Sequence, residues 1–250
     1  MKRMLQGLVI SLACGALALG GLVYSFPVKQ AGCVPLHMSS PVACMGSGVY
    51  IGHGFILTNQ HIAKGLSEQS SFLFPAWKYL WHTIDVGIGQ VVFLDRDMEL
   101  GIIKVRPSML DLVKVVTPCL STHSVKQGET LMVTSSAHGK FPPVSAALVV
   151  NDARPLMRLD PFPSNESPYS AMTIIATLSA DQATLVGPGS SGGPVLNADG
   201  ELVGLVWTGR ELDDGSEEVW ITPVSAWLSQ LQAAELQRDD LQAIQGTKCT

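Results

Sequence analysis

The sequence predicts an all-β domain that ends in an α-helix and follows an apolar N-terminal segment. Short apolar or alternating runs recur between residues 47 and 223, and Gly, Pro, Asn and Ser separate them. This spacing is typical of a β-sandwich or β-barrel rather than of alternating strands and helices. Helical periodicity after residue 222 predicts the helix.

The N-terminal segment predicts export. Lys2 and Arg3 precede an uncharged, mostly apolar run, residues 7–26. Such a run after a short basic region is typical of a signal peptide, and about twenty apolar residues also suffice to cross a bilayer. We expect residues 1–26 to be a signal peptide or an inner-membrane tether. The rest of the chain is then extracytoplasmic, either periplasmic or secreted.

The C-terminal helix has recognisable signals at both ends. Thr222 is a candidate N-cap, and Pro223 suits the first helical position. An apolar stripe at helical spacing follows, formed by Val224, Trp227, Leu228 and Leu231. Gly246 predicts the end of the helix. We expect the stripe to pack against the β-structure.

Composition and motifs exclude several classes of partner. The net charge is −5, and no cluster of Lys and Arg could follow a phosphate backbone, so nucleic acid is not an expected partner. No CxxC or HExxH motif occurs and the six histidines are scattered, which predicts no metal site. Export makes two disulfides the expectation for Cys33, Cys44, Cys119 and Cys249, with three possible connectivities.

Candidate catalytic chemistry lies first in GPGSSGGPVLN, residues 187–197. Its glycines predict a tight turn in which the backbone approaches a ligand closely. The hydroxyl of Ser191 could attack a substrate there. The N–H groups of Gly189 and Ser191 could bind the oxyanion that develops.

Two further segments supply a base and an acid. In FILTNQHIAKG, residues 55–65, an apolar strand ends at Leu57 and His61 follows in a polar turn. In FLDRDMELGIIKV, residues 93–105, three carboxylates precede a buried strand: Asp95, Asp97 and Glu99. A carboxylate there could hold the imidazole in the tautomer that a general base requires.

The order of these residues separates the hydrolase classes. Ser191 also fits the GxSxG motif of α/β-hydrolases, but that fold needs a histidine after the serine, and the last one is His138. The subtilisin order needs an acid before the histidine, and no Asp or Glu precedes Glu68. The order that remains is histidine, acid, serine, as in chymotrypsin-like enzymes.

Four segments resemble the trypsin-like serine proteases, and in particular the Deg/HtrA branch. TNQHI resembles the histidine motif TAAHC or TNxHV, and DRDMELGIIKV resembles D-x-x-x-DLALLKV. GPGSSGGPVLN resembles the GDSGGP or GNSGGP motif, while ELVGLVWTG and VWITPVSAWL resemble the closing strands and C-terminal helix. The similarity covers residues 45–232.

The resemblance implies two six-stranded antiparallel β-barrels within a protease domain at residues 40–235. The first barrel would span about 40–115, the second about 125–223, with the helix from 223 and a tail at 236–250. The expected activity is that of a serine endopeptidase acting on proteins or peptides without a cofactor. No PDZ domain is expected after the helix.

The resemblance also implies roles for single residues. His61 becomes the base, Ser191 the nucleophile, and Gly189 and Ser191 the oxyanion donors. Leu185 becomes the base of the primary specificity pocket. The preferred disulfides are Cys33–Cys119, which ties the N-terminal segment to the connection between the barrels, and then Cys44–Cys249.

The acid departs from the family pattern, which has Asp where this chain has Glu99. Asp97 and Glu99 are two residues apart, so alternation in an extended chain cannot choose between them. The spacing from Asp95 and the start of the apolar strand at Leu100 favour Glu99, and Asp97 is the alternative. A catalytically inactive binding or scaffold protein of the same fold, and an esterase using the same site, are the alternative functions.

Overall fold

The computed structural model of this chain describes twelve strands and three α-helices. The described residues are 33–37, 46–64, 71–72, 90–95, 98–105, 117–135, 137–139, 144–155, 172–231, 238–245 and 249. The apolar segment 7–26, Cys44 and Asp97 lie outside these residues. No helix in the described part of the chain is long and apolar enough to cross a membrane.

The first half forms an antiparallel six-stranded sheet in the order β4-β1-β2-β3-β6-β5. Its strands are β1 (Cys33–His37), β2 (Gly46–Gly52), β3 (Phe55–Thr58), β4 (Ser71–Phe72), β5 (Gln90–Asp95) and β6 (Leu100–Lys104). The short helix α1 (Gln60–Lys64) follows β3. β2 and β3 are almost wholly buried, as their apolar sequences predict.

The second half forms a closed six-stranded barrel in the order β10-β11-β12-β9-β8-β7. Its strands are β7 (Thr130–Ser135), β8 (Val144–Pro155), β9 (Met172–Leu178), β10 (Pro194–Leu196), β11 (Leu202–Glu211) and β12 (Glu217–Pro223). Buried Leu, Ile, Val and Ala side chains fill its interior. The prediction of an all-β fold with a six-stranded barrel in this half is confirmed.

The first sheet has the predicted number of strands but is not a closed barrel among the described residues. β4 has only two residues, and its recorded pairing is with Leu36 and His37 at the end of β1. Among the described strands, β5 pairs with β6 alone. The two described residues of β4 offer too few backbone groups to pair with β5 as well as with β1.

The C-terminal helix begins one residue later than predicted. Pro223 is the last residue of β12, and α2 spans Val224–Leu231. Val224 and Trp227 are fully buried and join the core of the first sheet, as the apolar stripe predicts. A further helix, α3 (Arg238–Gln245), ends just before Gly246.

The C-terminal segment packs back onto the first sheet. Ile244 of α3 is fully buried in its core. The ammonium of Lys104 on β6 contacts a carboxylate oxygen of Asp240 at 2.6 Å. These contacts bring the end of the chain to the connection between the two halves.

A disulfide joins Cys119 to Cys249. The predicted pairings Cys33–Cys119 and Cys44–Cys249 are therefore wrong. The N–H of Cys249 donates to the carbonyl of Leu120 at 2.9 Å, so Cys249 lies beside the connection between the two halves. The bond closes a sequence separation of 130 residues, and long closed loops restrict the unfolded chain most.

A carboxylate pair at the β11–β12 hairpin makes stability depend on pH. Glu217 faces Glu211 directly across the strands. Burial, with a smaller contribution from the charge of Glu211, raises the pKa of Glu217 from 4.5 to about 7. The folded state therefore binds this proton more tightly than the unfolded state. Its contribution to stability is complete below pH 4.5 and is lost as the pH rises through 7.

Replacing this carboxylate should stabilise the protein only at higher pH. We expect Glu217→Gln to raise the free energy of unfolding by about 1 kcal/mol at pH 8.5, a figure reduced for solvent screening, and by nothing near pH 4. Urea unfolding at the two pH values measures the difference. Glu211→Gln should give a smaller gain of the same sign. Equal stability of Glu217→Gln and wild type at pH 8.5 would contradict the assignment.

Candidate active site

His61 and Glu99 form a hydrogen-bonded pair at one edge of the first sheet. His61 is the second residue of α1, and Glu99 lies in the turn before β6. The His61 Nδ1 lies 2.9 Å from Glu99 Oε2. The Glu99 side chain is 10% exposed, whereas that of His61 is 43% exposed. Since a carboxylate only accepts, Nδ1 carries the proton, which leaves the lone pair on Nε2 for proton transfer.

Backbone contacts fix α1 against the turn that carries Glu99. The carbonyl of Glu99 accepts from the N–H of Gln60 at 3.1 Å and from the amide of Asn59 at 3.3 Å. A Cβ on Gly101 would lie 2.4 Å from the Cβ of Ala63. Any side chain at position 101 would therefore push α1, and His61 with it, away from Glu99.

Glu99 has a backbone conformation that is unusual for a residue with a side chain. Its φ is 49°, in the left-handed region, which costs about 1–2 kcal/mol for such a residue. Asp95 stabilises the turn, because its carboxylate accepts from the N–H of Met98 at 3.0 Å. This left-handed residue completes the turn that leads into β6, at the point where the Glu99 carboxylate meets His61.

Two adjacent serines have different environments in the turn at residues 187–193, which we call the serine turn. Ser190 is buried. Its hydroxyl lies 2.9 Å from that of Ser135 and accepts from the N–H of Gly187 at 3.0 Å. Ser191 is half-buried, and its hydroxyl donates to the carbonyl of Trp207 at 3.1 Å. Of the two residues, Ser191 is the more exposed.

The backbone N–H groups of the serine turn divide into two sets. Four of the six donate hydrogen bonds: those of Gly187, Ser190, Gly192 and Gly193. Neither of the other two, those of Gly189 and Ser191, donates to any residue that the structure describes. Gly189 has a φ of 97°, a conformation that glycine adopts without steric cost. Two N–H groups with no partner among the described residues thus flank Ser190 in the serine turn.

The serine turn is attached to the strands that lead to His61. The N–H of Ser47 on β2 donates to the carbonyl of Ser191 at 2.7 Å. A Cβ on Gly192 would lie 2.0 Å from the Ser47 carbonyl oxygen and 2.4 Å from Oγ1 of Thr58. Thr58 is three residues before His61, so this close approach brings the serine turn to the segment that carries the histidine.

The remaining sequence candidates have different positions. Leu185 ends a 3₁₀-helix, Ala183–Leu185, just before the serine turn, and it is half-buried against the core of the barrel. Asp97, the alternative acid, is not among the described residues. The one described group with metal-ligand spacing is Cys119, Glu201 and Cys249. Its two sulfurs are bonded to each other, so it offers no pair of thiolates.

Sequence analysis did not select Ser47 or Trp207. The only signal for Ser47 is a serine between two glycines at the start of an apolar strand. Trp207 contributes its backbone carbonyl, a group that every residue carries. No sequence pattern distinguishes it.

Comparisons with known proteins point to one family. A family model described as a trypsin-like peptidase domain matches residues 46–205. The "Probable periplasmic serine endoprotease DegP-like" of Marinomonas sp. (strain MWYL1) is 28% identical over 162 residues, 64% of this chain and 29% of that protein. The "Serine protease Do-like HtrA" of Bacillus subtilis (strain 168) is 26% identical over 166 residues, 64% of this chain and 32% of that protein. The match thus spans about a third of each relative.

A solved structure shares the fold along most of the chain. The active form of the Rv3671c protease from M. tuberculosis superposes with a TM-score of 0.65 at 18% identity. The superposition covers 87% of this chain and 88% of that one. At this identity the likeness establishes the fold alone.

Proposed function

The chain belongs to the trypsin-like peptidase family, and on this premise we propose that it is a serine endopeptidase whose catalytic triad is His61, Glu99 and Ser191. The observation that carries the proposal is the pair of N–H groups, of Gly189 and Ser191, that donate to no described residue and lie in the same turn as the hydroxyl of Ser191. The His61–Glu99 hydrogen bond supports it independently.

The proposed mechanism is acyl transfer in two halves. Ser191 Oγ attacks the carbonyl carbon of a peptide bond while Nε2 of His61 takes the hydroxyl proton. The N–H groups of Gly189 and Ser191 stabilise the oxyanion. His61 then gives the proton to the departing amine, and a water molecule activated by the same nitrogen hydrolyses the ester on Ser191. Glu99 stabilises the imidazolium in both halves, and no cofactor takes part.

An assay on internal peptide bonds tests this activity against the alternatives. Internally quenched peptides should be cleaved at internal positions, and a fluorophosphonate should block the cleavage. Hydrolysis of activated esters without peptide cleavage would favour the esterase. Folded protein that neither hydrolyses nor reacts would favour the inactive binding or scaffold protein.

We also propose that the substrate side chain before the scissile bond is aliphatic. By family resemblance Leu185 lies at the base of the primary specificity pocket. An Arg or Lys there would be left without a counter-charge in an apolar site. We expect Leu or Val at this position to give a kcat/KM at least about 100-fold higher than Arg.

A peptide-library profile measures this preference. Leu185→Asp is the matched variant, since a carboxylate would pair with the cation and should move the preference towards Arg and Lys. A wild-type profile dominated by Arg or Lys would reject the proposed role of Leu185.

We propose that the protease unit spans residues 40–235 and acts outside the cytoplasm. The family match at 46–205 supports the unit. The apolar run 7–26, the disulfide and the periplasmic description of the Marinomonas relative support the location. Fusions of alkaline phosphatase after residue 40 should be active in a bacterial host. Fractionation then separates a released unit from one tethered by residues 7–26, and an inactive fusion would contradict export.

A further inference from the structure

Ser47 is a fully buried polar residue whose hydrogen bonds cross to the serine turn and to β3. Its N–H donates to the carbonyl of Ser191, and its hydroxyl donates to the carbonyl of Gly189, both at 2.7 Å. Its own carbonyl accepts from the hydroxyl of Thr58 at 2.7 Å. The residue is 0% exposed, so its side chain cannot contact a substrate. Its effect on chemistry must therefore pass through the groups that it holds.

The hydroxyl of Ser47 fixes the peptide plane between Gly189 and Ser190. The carbonyl of this plane is held by Ser47, and its N–H donates to the carbonyl of Gly187 at 2.9 Å. The preceding plane is held by the N–H of His138, which donates to the carbonyl of Pro188 at 2.6 Å. Because a peptide is planar, holding the Pro188 carbonyl directs the Gly189 N–H to the opposite side.

The N–H of Ser47 fixes the plane that follows Ser191. The peptide plane between Ser190 and Ser191, which carries the Ser191 N–H, thus lies between two planes that Ser47 holds. The carbonyl of this middle plane, that of Ser190, accepts from the N–H of Gly193 at 2.8 Å. As a glycine, Gly189 has more backbone rotational freedom than any other residue type would have at this position. Without the Ser47 hydroxyl, the buried carbonyl of Gly189 would lose its hydrogen-bond donor. Rotation of this carbonyl towards another donor would then be favourable.

We propose that Ser47 is a positioning residue that keeps the N–H groups of Gly189 and Ser191 free and aimed at one point. This inference rests on the proposed protease function. Ser47 also connects the oxyanion donors to the segment that carries the base. The hydroxyl of Thr58, three residues before His61, donates to the Ser47 carbonyl. The absence of a Cβ on Gly192 permits this approach.

Ser47→Ala tests the proposal, because it removes only the hydroxyl. Oxyanion stabilisation acts in the transition state and not on bound substrate, so kcat should fall while KM changes little. Loss of one donor costs about 10²–10³-fold in kcat, and an indirect effect should be smaller, about 10- to 100-fold. The affinity of a peptide aldehyde, whose adduct carries the oxyanion, should fall by the same factor. The affinity of an uncleaved peptide, measured in a Ser191→Ala background, should stay unchanged.

Ser121→Ala is the matched control for loss of a buried hydroxyl. Ser121 is also buried, and its hydroxyl donates to Glu201 at 2.8 Å, away from the serine turn. It should lose stability but keep kcat within about twofold. If Ser47→Ala does not fold, Ser47→Cys replaces it, since a thiol is a weaker donor of similar size. It should lower kcat and aldehyde affinity in the same ratio.

Two results would overturn the positioning role, and a third would overturn the proposed function instead. A folded Ser47 variant with wild-type kcat and aldehyde affinity would overturn the positioning role. So would equal losses for the aldehyde and the uncleaved peptide, which indicate a general distortion of the site. A folded wild-type protein without peptidase activity or fluorophosphonate labelling would instead overturn the proposed function on which this inference rests.

Discussion

Ser191→Ala should lower kcat by about 10⁶ and leave the protein folded. In a serine protease the nucleophile and base act as a unit, and loss of the serine alone costs about as much as loss of the whole triad. Without a hydroxyl at position 191 the variant cannot form the acyl-enzyme. A residual acceleration of about 10³–10⁴ over water should persist, from substrate binding and the oxyanion donors. Steady-state hydrolysis of a good peptide substrate, with circular dichroism for folding, measures this.

Ser190→Ala is the comparison for this result. The Ser190 hydroxyl is buried between Ser135 and the Gly187 N–H, so its loss should affect stability and the shape of the turn more than the chemistry. We expect far more activity in Ser190→Ala than in Ser191→Ala. Near-normal activity of Ser191→Ala would show that the nucleophile is misassigned, with Ser190 as the first replacement.

Glu99→Gln should lower kcat by about 10⁴. The amide keeps the shape of the side chain, but it can donate to Nδ1 and so favours the tautomer that places the proton on Nε2. It also removes the charge that stabilises the imidazolium. Glu99→Asp keeps the charge on a shorter side chain and should lose much less. The ratio of kcat for Glu99→Gln and Glu99→Asp therefore separates charge and tautomer from simple packing.

Asp97→Asn is the control for the choice of acid. We expect it to change kcat by less than about tenfold, since the Glu99 carboxylate makes the contact with His61. The reverse pattern, with a crippled Asp97→Asn and a mild Glu99→Gln, would move the role of the acid to Asp97. Two mild variants would mean that another group orients His61.

The sequence predicted the features that depend on local pattern. Alternating apolar runs gave the strands, and the apolar stripe of the C-terminal helix gave its buried face. Three short motifs selected His61, Glu99 and Ser191. The structure brings His61 and Glu99 into contact, and it leaves Ser191 more exposed than Ser190.

Features that depend on tertiary contact were not predictable. Alternation in an extended chain could not choose between two carboxylates two residues apart, and the structure places Glu99 in a turn with a left-handed φ. The Cys119–Cys249 bond depends on the return of α3 to the first sheet through Ile244 and Asp240. Ser47 is a short polar residue in an apolar strand, and its hydroxyl finds its partner, the carbonyl of Gly189, only in the distant serine turn.

The central claim is that Ser191 is an activated nucleophile. Fluorophosphonate labelling of the folded wild-type protein, with the modified peptide mapped by mass spectrometry, tests it most directly. The account predicts one adduct on Ser191 in the wild-type protein and none in His61→Ala. Absence of labelling in folded protein, or an adduct on another residue that survives His61→Ala, would contradict it.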